Sequence, residues 1–337
     1  MRLLTITLAL WVALAAGSAC NSAPPAASPM AFERDLLGTR FRILLHHDDA
    51  EVAARAAEAA FARVEELDGI LSDYDSGSEL RRLARSGVGT HDVSPELHAV
   101  LALAERLQVE TDGAFDVRTG GLTRLWRRAR RRGELPAAEG LARALERLQA
   151  GSFSASQVGM RVSLTADDLE LDLGGLAKGF VLDEVLVVLA EHGVHAALVD
   201  GGGDLVASGP PPGRDAWTVV VSDLPGLEGE PLVLPLVRGA LATSGDTYQH
   251  LELDGVVHSH LVDPRTGQAL TDRAAATVLA PTAVVADGLA SALCVLEPAA
   301  GLGLLAERAG CAARIGRGTG DALQVWTSPD FPAAAVE

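Results

Sequence analysis

Late in the chain, Ala280-Pro281-Thr282-Ala283-Val284-Val285-Ala286-Asp287-Gly288-Leu289-Ala290-Ser291-Ala292 reads as a helix that is apolar apart from Asp287 and Ser291. Pro281 and Thr282 supply the start signal. A helix so apolar belongs in an interior, where a carboxylate needs a partner. Any fold of this chain must therefore bring a donor or a cation to Asp287. Asp287 and Ser291 stand at i and i+4, on one face. Two readings follow: an Asp–Ser hydrogen bond inside a buried helix, or two oxygen donors for a hard cation such as Mg2+.

Two glycine-rich turns are further candidates for chemistry. In Asp172-Leu173-Gly174-Gly175-Leu176-Ala177-Lys178-Gly179 an apolar strand pattern, Leu169–Leu173, meets two glycines and then a helix pattern, Lys178–His192. Glycines let backbone approach a ligand, and a helix N-terminus offers unpaired amides to a phosphate. Lys178 is the only lysine, every other basic side chain being arginine, and it would add a point charge there. The rival reading is a tight strand-to-helix turn that binds nothing. Asp200-Gly201-Gly202-Gly203-Asp204 is either a hairpin turn or a place where another group comes close.

A second polar concentration begins at Ala242-Thr243-Ser244-Gly245-Asp246 with Tyr248, and continues in His258-Ser259-His260-Leu261-Val262-Asp263-Pro264-Arg265-Thr266-Gly267. The spacing places both histidines on one face of a short strand. Asp263 to Gly267 is turn chemistry. A histidine at a strand end, with a carboxylate three residues on, suits general acid–base work near neutral pH. A surface hairpin is the alternative, and the density of polar groups argues against it.

The 337 residues suffice for a sizeable core, and 48% hydrophobic with 4% aromatic residues is a globular composition. The net charge of -17 excludes a general nucleic-acid role. An anionic ligand then needs a local device: a metal, a helix N-terminus or a few placed cations. Residues 1–19 read as a signal peptide, with Arg2 ahead of an apolar stretch, Leu3 to Ala16, too short to span a bilayer comfortably. Gly17-Ser18-Ala19 before Cys20 resembles a bacterial lipoprotein signal, in which Cys20 is lipidated; ordinary cleavage leaving a free Cys20 is the alternative. Residues 20–30 look like a flexible tether. Cys294 and Cys311 read as buried small hydrophobes, and no Cys/His spacing suits zinc.

No linker-like composition splits residues 31–330, which read as one α+β domain. Further strands are expected at Thr39–His46, Ala196–Val199, Trp217–Ser222, Leu251–Leu253 and Ala275–Ala280. Helices are expected at Glu51–Leu71, from Ser94-Pro95 to Glu110, at Thr282–Leu296 and at Leu302–Ala309, with a loop over Thr111–Gly121. The arginine-dense run Arg124 to Arg132 reads as a solvated helix face rather than an anion or membrane patch.

Taken in order, these segments resemble the ApbE family of FAD:protein FMN transferases. The likeness is carried by Leu37-Gly38-Thr39, Leu71-Ser72-Asp73-Tyr74, Thr111-Asp112-Gly113-Ala114-Phe115-Asp116, Gly174 to Gly179, Gly202-Gly203-Asp204, Thr243 to Asp246, Ser259 to Gly267, and Ala280 through Asp287 to Ser291. The resemblance implies a T-fold-like architecture of mixed and antiparallel sheets with packed helices. It implies an exported enzyme, often a lipoprotein anchored to a bacterial membrane and facing the periplasm or exterior. Such an enzyme binds FAD with Mg2+ and transfers FMN to a threonine of an acceptor flavoprotein, releasing AMP; typical acceptors are subunits of membrane redox complexes.

By that resemblance Leu37, Tyr74, Ala114, Phe115, Asp116, Gly174 and Val262 contact FAD, with Lys178 and Asp183 close to the nucleotide. The Ala177 carbonyl, Asp287 and Ser291 hold the metal, and His260 helps to deprotonate the acceptor threonine. Leu37 stands where the family usually has Met, Ser291 where Thr is common, and Asp200 where Asn is frequent; the arginine run after Trp126 is unusual for it. Two other activities fit the same motifs: a metal-dependent FAD pyrophosphatase in which water replaces threonine, and a flavin-binding lipoprotein without catalysis.

Overall fold

Small and branched apolar residues dominate the expected strands, and in the computed structural model they assemble into one antiparallel sheet of eight strands. The structure describes residues 28–221, 231–245, 250–318 and 322–333. The signal segment, Cys20, Ser222, Asp246 and Tyr248 lie outside them. The sheet runs β1 (Met30–Leu36), β2 (Thr39–His46), β6 (Ala196–Gly201), β7 (Leu205–Ala207), β10 (Gly239–Gly245), β13 (Ala274–Ala280), β14 (Ala312–Arg317) and β15 (Gln324–Thr327). Three small antiparallel sheets accompany it: β3 (Gly89–Asp92), β5 (Arg161–Leu164) and β4 (Phe153–Ala155); β8 (Trp217–Val221) with β9 (Leu232–Leu236); and β11 (His250–Leu253) with β12 (Val256–Ser259).

The helices are α1 (Ala50–Leu71), α2 (Glu79–Arg85), α3 (Pro95–Glu110), α4 (Gly120–Arg132), α5 (Ala138–Ala150), α6 (Ala177–Glu191), α7 (Ala283–Val295) and α8 (Pro298–Ala306). Asp49 caps α1, accepting from the Glu51 and Val52 amides at 2.8 and 3.2 Å. The helix then buries Ala53, Ala56, Ala57, Ala60, Phe61, Val64, Leu67 and Leu71, a stripe at helical spacing. Its small residues let α6 come close, and α6 in turn packs on α7, which lies across β10 and β13. Helices packed on antiparallel sheets make this an α+β architecture. Cys294 and Cys311 are buried and unlinked.

Several expectations shift. Leu169–Leu173 is extended but not a strand. Its partners are a 3-10 turn at Val117–Thr119 and the start of α4, through Asp172 N–H to Val117 O at 2.7 Å and Gly120 N–H to Glu170 O at 3.1 Å. A turn cannot continue a ladder, so pairing stops there. The same turn shortens the loop expected up to Gly121. Met30, placed at the end of the tether, already pairs with Leu45 in β1. The last helix starts at Pro298 rather than Leu302, because proline suits a first helical position.

The crossing of α6 and α7 is set by Gly179. A Cβ there would lie 2.6 Å from both the Ala283 carbonyl carbon and the Val284 Cα, so only glycine lets the two backbones touch. Gly179→Ala is expected to lower stability by at least about 1–3 kcal/mol, the usual cost of overpacking. Urea unfolding checks this, and a variant as stable as the parent would show that the crossing is not tight.

Candidate active site

Asp287 is 4% exposed and its Oδ2 accepts the Gly179 amide at 3.1 Å. The preceding residue, Lys178, pairs its ammonium with Asp204 Oδ2. Asp204 is 3% exposed, and its Oδ1 accepts the Thr243 amide at 3.2 Å. Burial pushes the Asp287 carboxyl up to about 7; Asp204 adds to this, while Lys178 and the Gly179 amide oppose it. Desolvation works against the Lys178 charge, but Asp204, Asp287 and Asp200 outweigh it and hold the ammonium above the ordinary lysine value. The one ammonium thus pairs with Asp204 and also acts on the nearby Asp287, whose carboxyl keeps its proton up to near neutral pH.

Ser291 follows Asp287 by one turn, with its hydroxyl 3.2 Å from that of Ser244. A Cβ on Gly175 would come 3.0 Å from Ser291 Oγ and 3.1 Å from Phe115 Cε2. The missing side chain thus lets Ser291 and the Phe115 ring close onto the glycine turn. Ala177 is the first residue of α6, two positions from that glycine. Among the described residues no three His, Cys, Asp or Glu side chains form a metal cluster. The groups gathered here are instead the Asp287 carboxyl and the Ser291 and Ser244 hydroxyls, oxygen donors of the kind that suits a hard cation.

Asp183, expected beside the nucleotide, has both oxygens engaged by α7: Oδ1 accepts from Ala283 N–H at 2.8 Å and Oδ2 from Val284 N–H at 2.9 Å. It is a helix cap. Asp116 is similarly committed, accepting from the Arg118 guanidinium at 2.5 Å and from Gln108 at 3.1 Å, while its Oδ1 caps the 3-10 turn. Ala114 and Phe115 beside it are buried. Leu37 takes a left-handed φ of 51° in the β1–β2 turn. Val262 is buried with Leu122, Trp126, Leu251 and Ala269, so its side chain packs under α4 and leaves only its backbone for a ligand.

The glycine turn connects to an aromatic platform. Asp172 Oδ1 accepts the Gly174 amide at 2.9 Å, and its Oδ2 accepts from Thr123 Oγ1 at 2.7 Å and Arg127 Nη2 at 3.0 Å. Arg127 also donates to Asp73 at 2.5 Å, and its guanidinium lies 4.5 Å from the centre of the Tyr74 ring. The arginine run is therefore not a purely solvated face: Arg124 pairs with Glu170 and Arg127 ties three segments together.

The two histidines do not share a strand face. β12 ends at Ser259, whose hydroxyl accepts the Leu261 amide at 3.1 Å and turns the chain. His258, in the strand, stacks on Trp126 at 5.5 Å between centroids. His260 lies beyond it, half-buried, before the Val262–Ala269 bridge. Asp263 belongs to the turn, since its carboxylate accepts the Arg265 amide and pairs with that guanidinium, both at 2.9 Å. The hairpin is pinned by the Trp126 indole donating to Gly267 O at 3.1 Å and abuts the Gly113 loop at Arg265. Asp204, Asp172 and Arg127 were not singled out as site residues from the sequence. A lone lysine among glycines needs an acid, a signal that could have found Asp204.

The ApbE family model matches residues 37–315. The FAD:protein FMN transferase of Treponema pallidum is 33% identical over 293 residues, covering 81% of this chain and 80% of its own. That of Klebsiella pneumoniae is 29% identical over 322 residues, covering 93% and 91%. The flavin transferase ApbE of Vibrio cholerae superposes with a TM-score of 0.78 at 26% identity, over 91% of this chain and 99% of that one. The apo flavinyl transferase ApbE of Pseudomonas stutzeri gives 0.77 at 29% identity, over 89% and 95%.

Burial pushes the Asp183 carboxyl up to about 6, against the pull of the Val284 and Ala283 amides. An unfolded aspartate titrates near about 4, so the native state holds this proton more tightly. The contribution of Asp183 to stability is thus present below about pH 4 and is lost as pH rises through 6. Asp183→Asn lacks the proton. Unfolding at a series of pH values should find the parent losing stability relative to the variant between those limits and running parallel to it above; a constant difference would refute the assignment.

Proposed function

The chain belongs to the ApbE family, and we propose that it is an Mg2+-dependent FAD:protein FMN transferase that modifies a threonine of an acceptor flavoprotein and releases AMP. The observation that carries this reading is the set Asp287, Ser291 and Lys178–Asp204, gathered at the α6 N-terminus against the Gly174-Gly175 turn. A pyrophosphate arriving there meets an ammonium and the positive end of a helix dipole, local attractions inside a chain of net charge -17. Asp287, Ser291 and the Ala177 carbonyl are the oxygen donors for Mg2+, which when bound neutralises charge on the phosphates.

In the transfer, the threonine oxygen bonds to the FMN phosphorus, the bond from that phosphorus to the AMP oxygen breaks, and the threonine proton leaves. His260 is assigned the proton, because it stands half-buried on the turn after β12 and imidazole is the side chain suited to proton transfer. Tyr74 offers an exposed ring for stacking on FAD. Leu37, Gly174 and the Ala114-Phe115 loop line the approach. The signal-like start and Cys20 support an exported, lipid-anchored enzyme whose acceptor belongs to a membrane redox complex.

The test is to incubate the chain with FAD, Mg2+ and a candidate acceptor domain, then look for an in-gel fluorescent flavoprotein and for AMP. AMP without labelling would identify a pyrophosphatase instead, and neither product would leave only flavin binding. His260→Ala is expected to cut labelling by about 10²–10⁴-fold, the worth of a general base, with FAD affinity largely kept. Asp287→Ala should weaken Mg2+ and FAD binding together. Loss of FAD binding in the first variant, or unchanged Mg2+ dependence in the second, would overturn these roles.

A further inference from the structure

Tyr74 is 78% exposed, a degree of exposure that normally lets a ring change rotamer freely. Here one face lies under the Arg127 guanidinium, 4.5 Å from the ring centre. Arg127 is itself held on its other side, by Asp73 at 2.5 Å and Asp172 at 3.0 Å. Asp172 in turn accepts the Gly174 amide at 2.9 Å. One planar cation therefore joins the exposed ring, the residue before it and the turn that opens α6. Its neighbours in the run do something else: Arg124 goes to Glu170, and Arg132 pairs with Glu134 in solvent.

We infer that Arg127 is a positioning residue for flavin: it backs the Tyr74 ring so that the open face stays presented for stacking, and it fixes that face relative to the Gly174-Gly175 turn. This rests on the transferase reading, in which Tyr74 meets a ring of FAD and the turn meets its phosphates. Arginine suits the task because a guanidinium can donate along its edge to two carboxylates while its plane covers an aromatic face. The compact ammonium of lysine has no such plane and cannot do both at once.

The experiment measures FAD affinity by quenching of flavin fluorescence, with Mg2+ present, for the parent chain, Arg127→Met, Arg127→Lys, Tyr74→Ala and the two double variants, with thermal unfolding alongside. Arg127→Met is expected to weaken FAD binding about three- to thirtyfold, the range of a cation–π contact converted to affinity. Arg127→Lys, which keeps a cation between Asp73 and Asp172, should keep the melting temperature and still lose about threefold or more. Neither substitution should weaken binding further when Tyr74 is already Ala. Both variants binding within about twofold of the parent, or the same loss with and without the Tyr74 ring, would overturn the inference. If Arg127→Met does not fold, Arg127→Lys decides the question by the same criteria. A parent chain that binds no FAD would sink the transferase reading, and this inference with it.

Discussion

Two helices far apart in the chain hold each other's first turns. Asp287 of α7 accepts an amide of α6, and Asp183 of α6 accepts the first two amides of α7. The opening amides of a helix have no partners within it, and a buried donor left unpaired costs about 1–3 kcal/mol. Each helix therefore needs the other's carboxylate. The exchange is feasible because Gly179 removes the one side chain that would separate the backbones. Ala177, Lys178, Asp287 and Ser291 come together as a by-product of this crossing, so the placing of the site and the packing of the core are one problem.

The electrostatics follow from the same crossing. An acidic protein that handles an anion cannot rely on its overall field, which repels the ligand. It can rely on short-range groups in a partly dry place, where each charge counts for more than in water. Lys178 pairs with Asp204 and also feels the Asp287 charge, which together keep it charged.

Much of this was legible in the sequence. α1, α3, α6 and α7 are legible by helical spacing, α3 and α7 also by their start signals, and β2 and β13 by short apolar runs. Asp287 stood out because a carboxylate in an apolar helix demands an explanation. What stayed hidden depends on partners distant in the chain. Leu169–Leu173 has the composition of a strand, but only the fold reveals that a 3-10 turn faces it. Asp183 looks like any helix-surface acid until α7 arrives. Arg127 is indistinguishable from its five neighbouring arginines by composition, and its difference lies wholly in facing Tyr74, Asp73 and Asp172. His258 and His260 were misread because Ser259 ends the strand between them.

The order of the large sheet has a bearing on how the molecule comes into being. β2 is bonded on one side to β1, its sequence neighbour, and on the other to β6, which begins only at Ala196. All of α1 to α6 and the β3–β5 sheet are made in the interval. During synthesis from the N-terminus the hairpin of β1 and β2 must wait with one edge unpaired until more than half the polypeptide exists. Non-local pairing of this kind is slow, and an open edge invites strands from other chains. The long wait leaves that edge exposed until β6 arrives, so closure of β6 onto β2 is what ends the exposure, after all of the first six helices have been made.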